Sequence, residues 1–410
     1  MKIAQIAPPW ISVPPKNYGG TETVIAYLVE ELIALKHDVT LLAPADANTS
    51  ARLVSFFPRS LIDEGAPWGA HLKAYYHLYK SIEYVKTHHF DIVHLHLSSA
   101  ADMYVFPLVS SLTTPVVATL HSRFPFDRAP LCQGGMWIGD ADEYYMEWLS
   151  SIPMVAISQS ARAEVSYPLR FVGVVPHGLP MDIFKPVVEQ PENFLVWLGR
   201  FSPEKGAHLA IQVAKAVNMP LVLAGIVDEQ VAEQITYFEE MIKPHIDGQQ
   251  ISYIGPVNLE QKIDLLSQAK GFLNPIEWEE PFGMVMIEAM SVGCPVITFA
   301  RGAAPEVVAD GIGGFLVQDV QEMVQSVARL DELDRQKVRA YAKTKFAVHE
   351  MARNYLRIYQ KVIMSDQLES SLPRLSIKTP VPLVTSFSAP IKSTASVASV
   401  LRSPTESITN

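Results

Sequence analysis

The sequence predicts an α/β protein built from two doubly wound domains in tandem. Three observations carry that prediction. Short, nearly continuous apolar runs alternate with longer amphipathic stretches, the pattern of parallel strands covered by helices on both faces. The alternation halts near residue 184 and then begins again. The chain has 410 residues, 49% of them hydrophobic, which suffices for two or three cores at about 100–200 residues per domain.

In order, residues 3–7, 39–43, 92–95, 116–120, 154–156 and 172–175 read as strands, with helices at 22–35 and 71–87 between them. Residues 184–193 contain Pro186, Pro191 and few large apolar side chains, so they read as a linker. The second series has strands at 194–198, 221–224, 251–254, 272–274 and 296–299 and a helix at 207–217. Helices at 320–330, 333–345 and 349–364 follow. The expected division is a first domain 1–183, a linker 184–193, a second domain 194–348, a final helix 349–364 and a tail 365–410. Of the 46 tail residues, 11 are Ser, 5 Thr and 5 Pro, too few apolar groups to offset the entropy of ordering, so the tail is expected to be disordered. No repeat of solenoid period is present.

Composition excludes several function classes. Lys and Arg total 33 against 43 Asp and Glu, a formal charge of −10, which argues against nucleic acid as a general partner. Two cysteines, Cys132 and Cys294, cannot build a disulfide framework or a four-cysteine zinc module, which fits a reducing, cytoplasmic setting. Residues 3–7 are too short an apolar core for a secretory signal. The uncharged stretch 103–120 contains two prolines and five Ser or Thr residues, and reads as a helix followed by a strand, not as a membrane span.

Two clusters carry chemistry. In the first, a strand ends in Gly199-Arg200, and Lys205-Gly206 follows after four residues, just before a helix. Arg supplies a planar fork and Lys a point charge, both suited to a diphosphate. In the second, the strand 272–274 leads through Glu279, Glu280 and Pro281 to a helix expected to start near Phe282. Ligands bind open α/β sheets at the carboxyl ends of strands. There the amides of Phe282, Gly283 and Met284 can donate to a phosphate or a sugar hydroxyl, and Glu280 and Glu288 can accept from hydroxyls. Taken alone, each cluster also fits a solvated turn or an acidic helix start. Their combination in one domain favours a site.

The pair Glu280 and Glu288, separated by seven residues, resembles the Glu-x7-Glu signature of retaining family 4 glycosyltransferases. Phe282-Gly283, Glu288-Ala289-Met290, the run Gly293 to Ile297, Gly19-Gly20-Thr21-Glu22, Thr119-Leu120-His121 and the run Gly302 to Glu306 follow the family's wording in order, over about residues 1–364. The resemblance implies the GT-B architecture of two facing Rossmann-like domains with a cleft between them. It implies an acceptor on the first domain, a nucleotide sugar on the second, and a final helix that crosses back. It also implies that Arg200 and Lys205 hold the donor diphosphate and that Glu280 lies near the transferred sugar. Phe282, Gly283 and Met284 would donate amides, and Glu288 would take the ribose hydroxyls. Gly19 and Gly20 would let a loop approach the diphosphate or acceptor, and His121 would lie close to the reacting sugar. The expected catalytic set is His121, Glu280, Arg200 and Lys205.

Other features compete. Asp140-Ala141-Asp142 has the Asp-x-Asp form of a metal site, but it precedes an expected helix at 143–149 and is explained by a cap and first-turn acids. His94 and His96 share one face of a strand and read as packing histidines, since a catalytic zinc needs at least three suitable ligands. The first strand is followed by Pro8-Pro9-Trp10, not Gly-x-Gly-x-x-Gly, which disfavours a nicotinamide enzyme. The helical stretch 71–89 carries Lys73, Lys80 and Lys86 with Tyr75, Tyr76 and Tyr79, which reads as a solvated helix with aromatic packing and leaves room for peripheral membrane contact. The expected activity is metal-independent, retaining transfer of a hexose from a nucleotide sugar, UDP-sugar favoured, with no cofactor. The acceptor (a sugar, a lipid-linked glycan or a small molecule) is open. The alternatives are a GT-B relative with epimerase or hydrolase chemistry, and a non-catalytic nucleotide-sugar-binding protein.

Overall fold

The structure is a computed structural model that describes residues 1–16, 19–98, 105–122, 150–163 and 169–371. Two all-parallel sheets dominate it. The first joins β1 (Lys2–Ile6), β2 (Asp38–Leu42), β3 (Arg52–Val54), β4 (Ile92–Leu97), β5 (Val116–Leu120), β6 (Met154–Ala156) and β7 (Phe171–Val174) in the order β3-β2-β1-β4-β5-β6-β7. The second joins β8 (Leu195–Arg200), β9 (Leu221–Ile226), β10 (Ile251–Tyr253), β11 (Gly271–Asn274), β12 (Val296–Phe299) and β13 (Gly314–Val317) in the order β10-β9-β8-β11-β12-β13. Each order reverses once, beside β1 in the first sheet and beside β8 in the second. At such a reversal the loops leaving neighbouring strands diverge and open a crevice at the carboxyl ends. In the second sheet the loops that flank this crevice are those after β8 and β11, the two that carry the charged motifs.

Burial explains the apolar strand sequences. All six residues of β4 and all four of β12 are buried. Helix starts follow local capping: Asn258 and Gln261 form a reciprocal capping box at helix Leu259–Gln268, and Asp319 and Asp334 cap helices Val320–Val327 and Arg335–Lys345. The short strands β3 and β13 have no counterpart in the sequence-based expectation. Gly314 sits in β13 because an added Cβ would lie 1.8 Å from the Val296 carbonyl oxygen.

The segment that leads into the expected linker 184–193 is packed against a core. Leu179, Met181 and Phe184 are already buried in a core with Val196, Phe272, Phe282 and Phe346. Phe184, the first residue of that expected linker, is fully buried. The last helix, Val348–Ser371, inserts Met351, Ala352, Tyr355, Ile358, Tyr359 and Val362 into the first half's core beside Val24, Leu28, Ile92 and Val117. It extends seven residues past Met364, into the segment expected to be disordered. Residues 365–371 are helix-compatible and the first breaker is Pro373. The remainder of the tail, Cys132, the Asp140–Asp142 triplet and the helix expected at 143–149 lie outside the described residues. No helix among the described residues is long and apolar enough to cross a membrane.

Candidate active site

Arg200 ends β8, and a 3-10 turn at Pro203–Lys205 follows. The turn closes through Gly206, whose φ of +69° is left-handed and whose added Cβ would lie 2.0 Å from the Pro275 carbonyl oxygen. A side chain there is therefore excluded both by conformation and by space. This close approach brings the β8 loop against the β11 loop. The Glu277 amide donates to the Glu204 carbonyl at 2.8 Å, and the Trp197 indole N–H donates to the Lys205 carbonyl at 3.0 Å.

Two of the predicted residues meet across this seam. Lys205 Nζ lies 2.5 Å from Glu280 Oε2, with both side chains mostly buried. The Trp278 indole N–H donates to the same oxygen at 3.1 Å, and Lys205 Nζ lies 4.7 Å from the Trp278 ring centroid. A third element braces the loop from behind. The Ala303 amide donates to the Glu280 carbonyl at 2.8 Å, Gly302 N donates to Glu279 Oε2 at 2.6 Å, and the Arg301 guanidinium donates to the Glu277 carbonyl at 2.9 Å. Arg200 is only loosely paired, with Nη2 3.9 Å from Glu204 Oε1, and its buried Nε meets no hydrogen-bonding partner among the described residues. A half-exposed guanidinium with an unused donor suits an incoming anion.

The helix after this loop is Met284–Ser291 and starts later than residue 282. Gly283, at φ +88°, interrupts the backbone before it, so Phe282 precedes the helix and Pro281 is not in its first turn. Glu280 and Glu288 thus do not share a helix. Phe282 is buried, and the amides of Gly283 and Met284 sit at the helix start, where donors lack intrahelical partners. Glu288 lies about one turn in, is 3% exposed, and holds Lys262 Nζ at 2.5 Å through Oε1. Tyr27, on helix Gly20–Ala34 of the first half, has its phenol raised by burial and by the Glu288 charge.

Facing this loop are histidines of the first half. His121 follows β5, and its ring stacks on His177 with centroids 5.2 Å apart, while His177 meets Phe282 edge-on at 4.7 Å. Burial lowers the His121 pKa to about 3. Gly20 begins its helix with open space where a Cβ would stand, whereas a Cβ on Gly19 would lie 2.8 Å from Glu22 Oε2. The halves are also stitched directly: Ser158 Oγ donates to the Pro281 carbonyl at 2.7 Å, and Glu306 accepts the amides of Gln159 and Ser160 at 2.8 and 2.6 Å.

Two family models match end to end: "Glycosyltransferase Family 4" over residues 18–182 and "Glycosyl transferases group 1" over residues 181–345. The chain belongs to the family 4 glycosyltransferases. Spore coat protein SA of Bacillus subtilis is 24% identical, spanning 88% of this chain and all of its own length. A phosphatidyl-myo-inositol mannosyltransferase of Mycolicibacterium smegmatis is 24% identical, spanning 88% and 94%. Among solved structures, sucrose-phosphate synthase of Thermosynechococcus elongatus has TM-score 0.72 at 18% identity, covering 89% and 99% of the two chains. Anabaena HepE in complex with UDP and glucose has TM-score 0.63 at 19% identity, covering 91% and 100%. The fold of this glycosyltransferase is accordingly GT-B.

Sequence reasoning missed four residues that contact the candidate site residues or lie behind them. Lys262 and Trp278 partner the two glutamates, His177 stacks on His121, and Gln5 lies behind them. His177 carried a readable signal, because Pro176-His177-Gly178 follows a strand end as His121 does. Lys262 carried none: it lies on a separate helix, 26 residues before its partner.

Proposed function

We propose that this glycosyltransferase moves a hexose from a nucleoside diphosphate sugar, UDP favoured, to an acceptor hydroxyl with retention of configuration and without a metal. The observation that carries the reading is the meeting of Lys205 and Glu280 from adjacent strand ends, with Arg200 at the end of the strand that leads to Lys205, at the sheet's switch point. In this reading Arg200 and Lys205 bind the diphosphate, with the amides at the start of helix Met284–Ser291 close by. The bond between the anomeric carbon and the β-phosphate oxygen breaks, and the two cations take up the charge that develops on the leaving diphosphate. The acceptor oxygen bonds to the anomeric carbon from the same face and its proton passes to the leaving phosphate. Glu280, oriented by Lys205 and the Trp278 indole, stabilises positive charge on the sugar. Glu288 takes the ribose hydroxyls. Gly19 and Gly20 border the diphosphate or acceptor, and His121 borders the sugar.

The complex of HepE with UDP and glucose supports a uridine donor, and the mannosyltransferase relative keeps other donors in the test. The two-cysteine composition favours a cytoplasmic reaction. The test is a panel of nucleotide sugars offered with cell extract, with products read by mass spectrometry and the new linkage by NMR. Transfer from a UDP-hexose with retained anomeric configuration is expected. An inverted product would overturn the retaining mechanism. Donor turnover equal with and without acceptor would indicate epimerase or hydrolase chemistry, and binding without turnover a non-catalytic protein.

A further inference from the structure

Behind His121, a chain of buried hydrogen bonds runs through the first sheet to the last helix of the molecule. His121 Nε2 lies 2.8 Å from His96 Nδ1, and His96 Nε2 lies 2.7 Å from Gln5 Oε1. Gln5 Nε2 donates to Tyr359 Oη at 3.1 Å, and Tyr359 Oη lies 2.7 Å from His94 Nδ1. His94 Nε2 lies 2.7 Å from Thr119 Oγ1, which contacts Tyr355 Oη at 3.1 Å. Gln5, His94, His96, Thr119, Tyr355 and Tyr359 are each at most 2% exposed.

We infer that Gln5, His96 and Tyr359 are positioning residues that hold neutral His121 in the tautomer protonated on Nε2, leaving Nδ1 as an acceptor for a hydroxyl of a bound sugar. The direction follows from valence. A carboxamide oxygen only accepts, so His96 must donate from Nε2 to Gln5 Oε1. A neutral His96 then has a bare Nδ1, which takes its hydrogen from His121 Nε2. A neutral His121 is left with a bare Nδ1. Burial holds His96 and His121 well below the usual imidazole pKa, which keeps both rings neutral. The amide of Gln5 is oriented from its other end. Its NH2 donates to Tyr359, whose own hydrogen passes to His94 Nδ1, and His94 then donates from Nε2 to Thr119.

The structure also shows the end of the chain unsatisfied. The Nδ1 atoms of His121 and of the stacked His177 are buried and meet no hydrogen-bonding partner among the described residues. Buried polar atoms are rarely left so. A ligand rich in hydroxyls answers this better than an apolar one. Tyr355 and Tyr359 lie one turn apart on helix Val348–Ser371, so the segment that returns from the second half sets the proton position of a residue at the site. The assignment of a sugar as the hydroxyl donor rests on the proposed function; the tautomer does not.

The experiment is long-range 15N–1H correlation on protein with 15N-labelled histidine, with steady-state transfer kinetics on the same samples. In the wild type, His121 and His96 are expected as Nε2–H tautomers. A His121 protonated on Nδ1 would mean that the Gln5 amide is turned over and the chain reversed, which overturns the inference without any variant. In Tyr359→Phe the amide loses its anchor. The Nδ1–H form of His121 is expected to appear, with kcat/KM lowered about ten-fold and UDP affinity kept. Gln5→Met, which removes the acceptor, should do the same if Tyr359→Phe does not fold. An unchanged tautomer in a folded variant, or a changed tautomer with unchanged transfer, would overturn the role. The expected tautomers in a protein that transfers no sugar would leave the tautomer lock standing and sink the proposed reaction and the sugar assignment.

Discussion

At the scale of residues, the proposed donor site is an arrangement of charge from different strand ends. Lys205 and Arg200 come from one loop, Glu280 from the next, and Lys262 approaches Glu288 from a separate helix. If the two loop cations take up leaving-group charge, Lys205→Ala and Arg200→Ala should each slow transfer by ~10²-fold or more. Titration calorimetry with UDP and steady-state kinetics check this; unchanged affinity with unchanged turnover would discard the clamp. The two glutamates should separate in the same assays. A carboxylate that holds ribose hydroxyls contributes uniform binding, so Glu288→Gln should weaken UDP and chiefly raise KM. A carboxylate beside the anomeric centre acts on charge present only in the transition state, so Glu280→Gln should keep UDP and chiefly lower kcat. The reverse pattern would show that the donor lies the other way round.

At the scale of elements, the turns that carry these residues depend on backbone shape. Gly206→Ala would place a methyl 2.0 Å from the Pro275 oxygen in a left-handed conformation. We expect a loss of ~2 kcal/mol or more in urea unfolding, together with reduced transfer, because the β8 and β11 loops must part. Gly20→Ala is the contrasting case, since its Cβ meets nothing within 4 Å. Stability should hold, and a fall in transfer alone would mark Gly20 as bordering a ligand. The last helix gives a second pair. Truncation after Ser371 should leave the melting temperature nearly unchanged, given the composition of the tail. Truncation before Val348 removes Met351, Tyr355, Ile358 and Tyr359 from the first half's core and should yield aggregated or unfolded protein. A soluble, cooperatively melting product of the second truncation would show the helix to be dispensable.

At the scale of the whole molecule, the buried His77, His94, His96 and His177 and the partly buried His121 link stability to pH. Burial is the leading cause of lowered values at His77, His94, His96, His121 and His177. Above pH ~6.5 they are neutral in both folded and unfolded chains and have no effect. Below it the unfolded chain takes up protons that the folded one refuses. Stability is therefore lost as pH falls, each histidine approaching ~1.4 kcal/mol per pH unit. Melting curves between pH 7.5 and 5.5 should show a marked drop, and a flat profile would contradict neutral burial. Metal dependence is also read on the intact enzyme. If Arg200 and Lys205 supply the positive charge, as proposed, transfer should persist in excess EDTA. Strict dependence on added manganese or magnesium, abolished by Asp142→Ala, would return the Asp140–Asp142 triplet to the site.

The sequence by itself determined the α/β class, most strands and helices, and the family. Alternation of buried strands with amphipathic helices is written locally, and the family's motifs are short and contiguous. It did not determine β3 or β13, which are too short and too near glycine or the surface to show a period. It misplaced the start of helix Met284–Ser291, because a positive φ at Gly283 competes with the proline signal two residues earlier. Tertiary structure alone decided which charges meet. Lys205 and Glu280 are 75 residues apart, Lys262 and Glu288 are on different helices, and Gln5 reaches Tyr359 across 354 residues. Strand order at the sheet reversal and the return of the last helix create those pairs, and neither leaves a local trace. A side chain's type can be read from its own position, but its partner is set by the path of the whole chain.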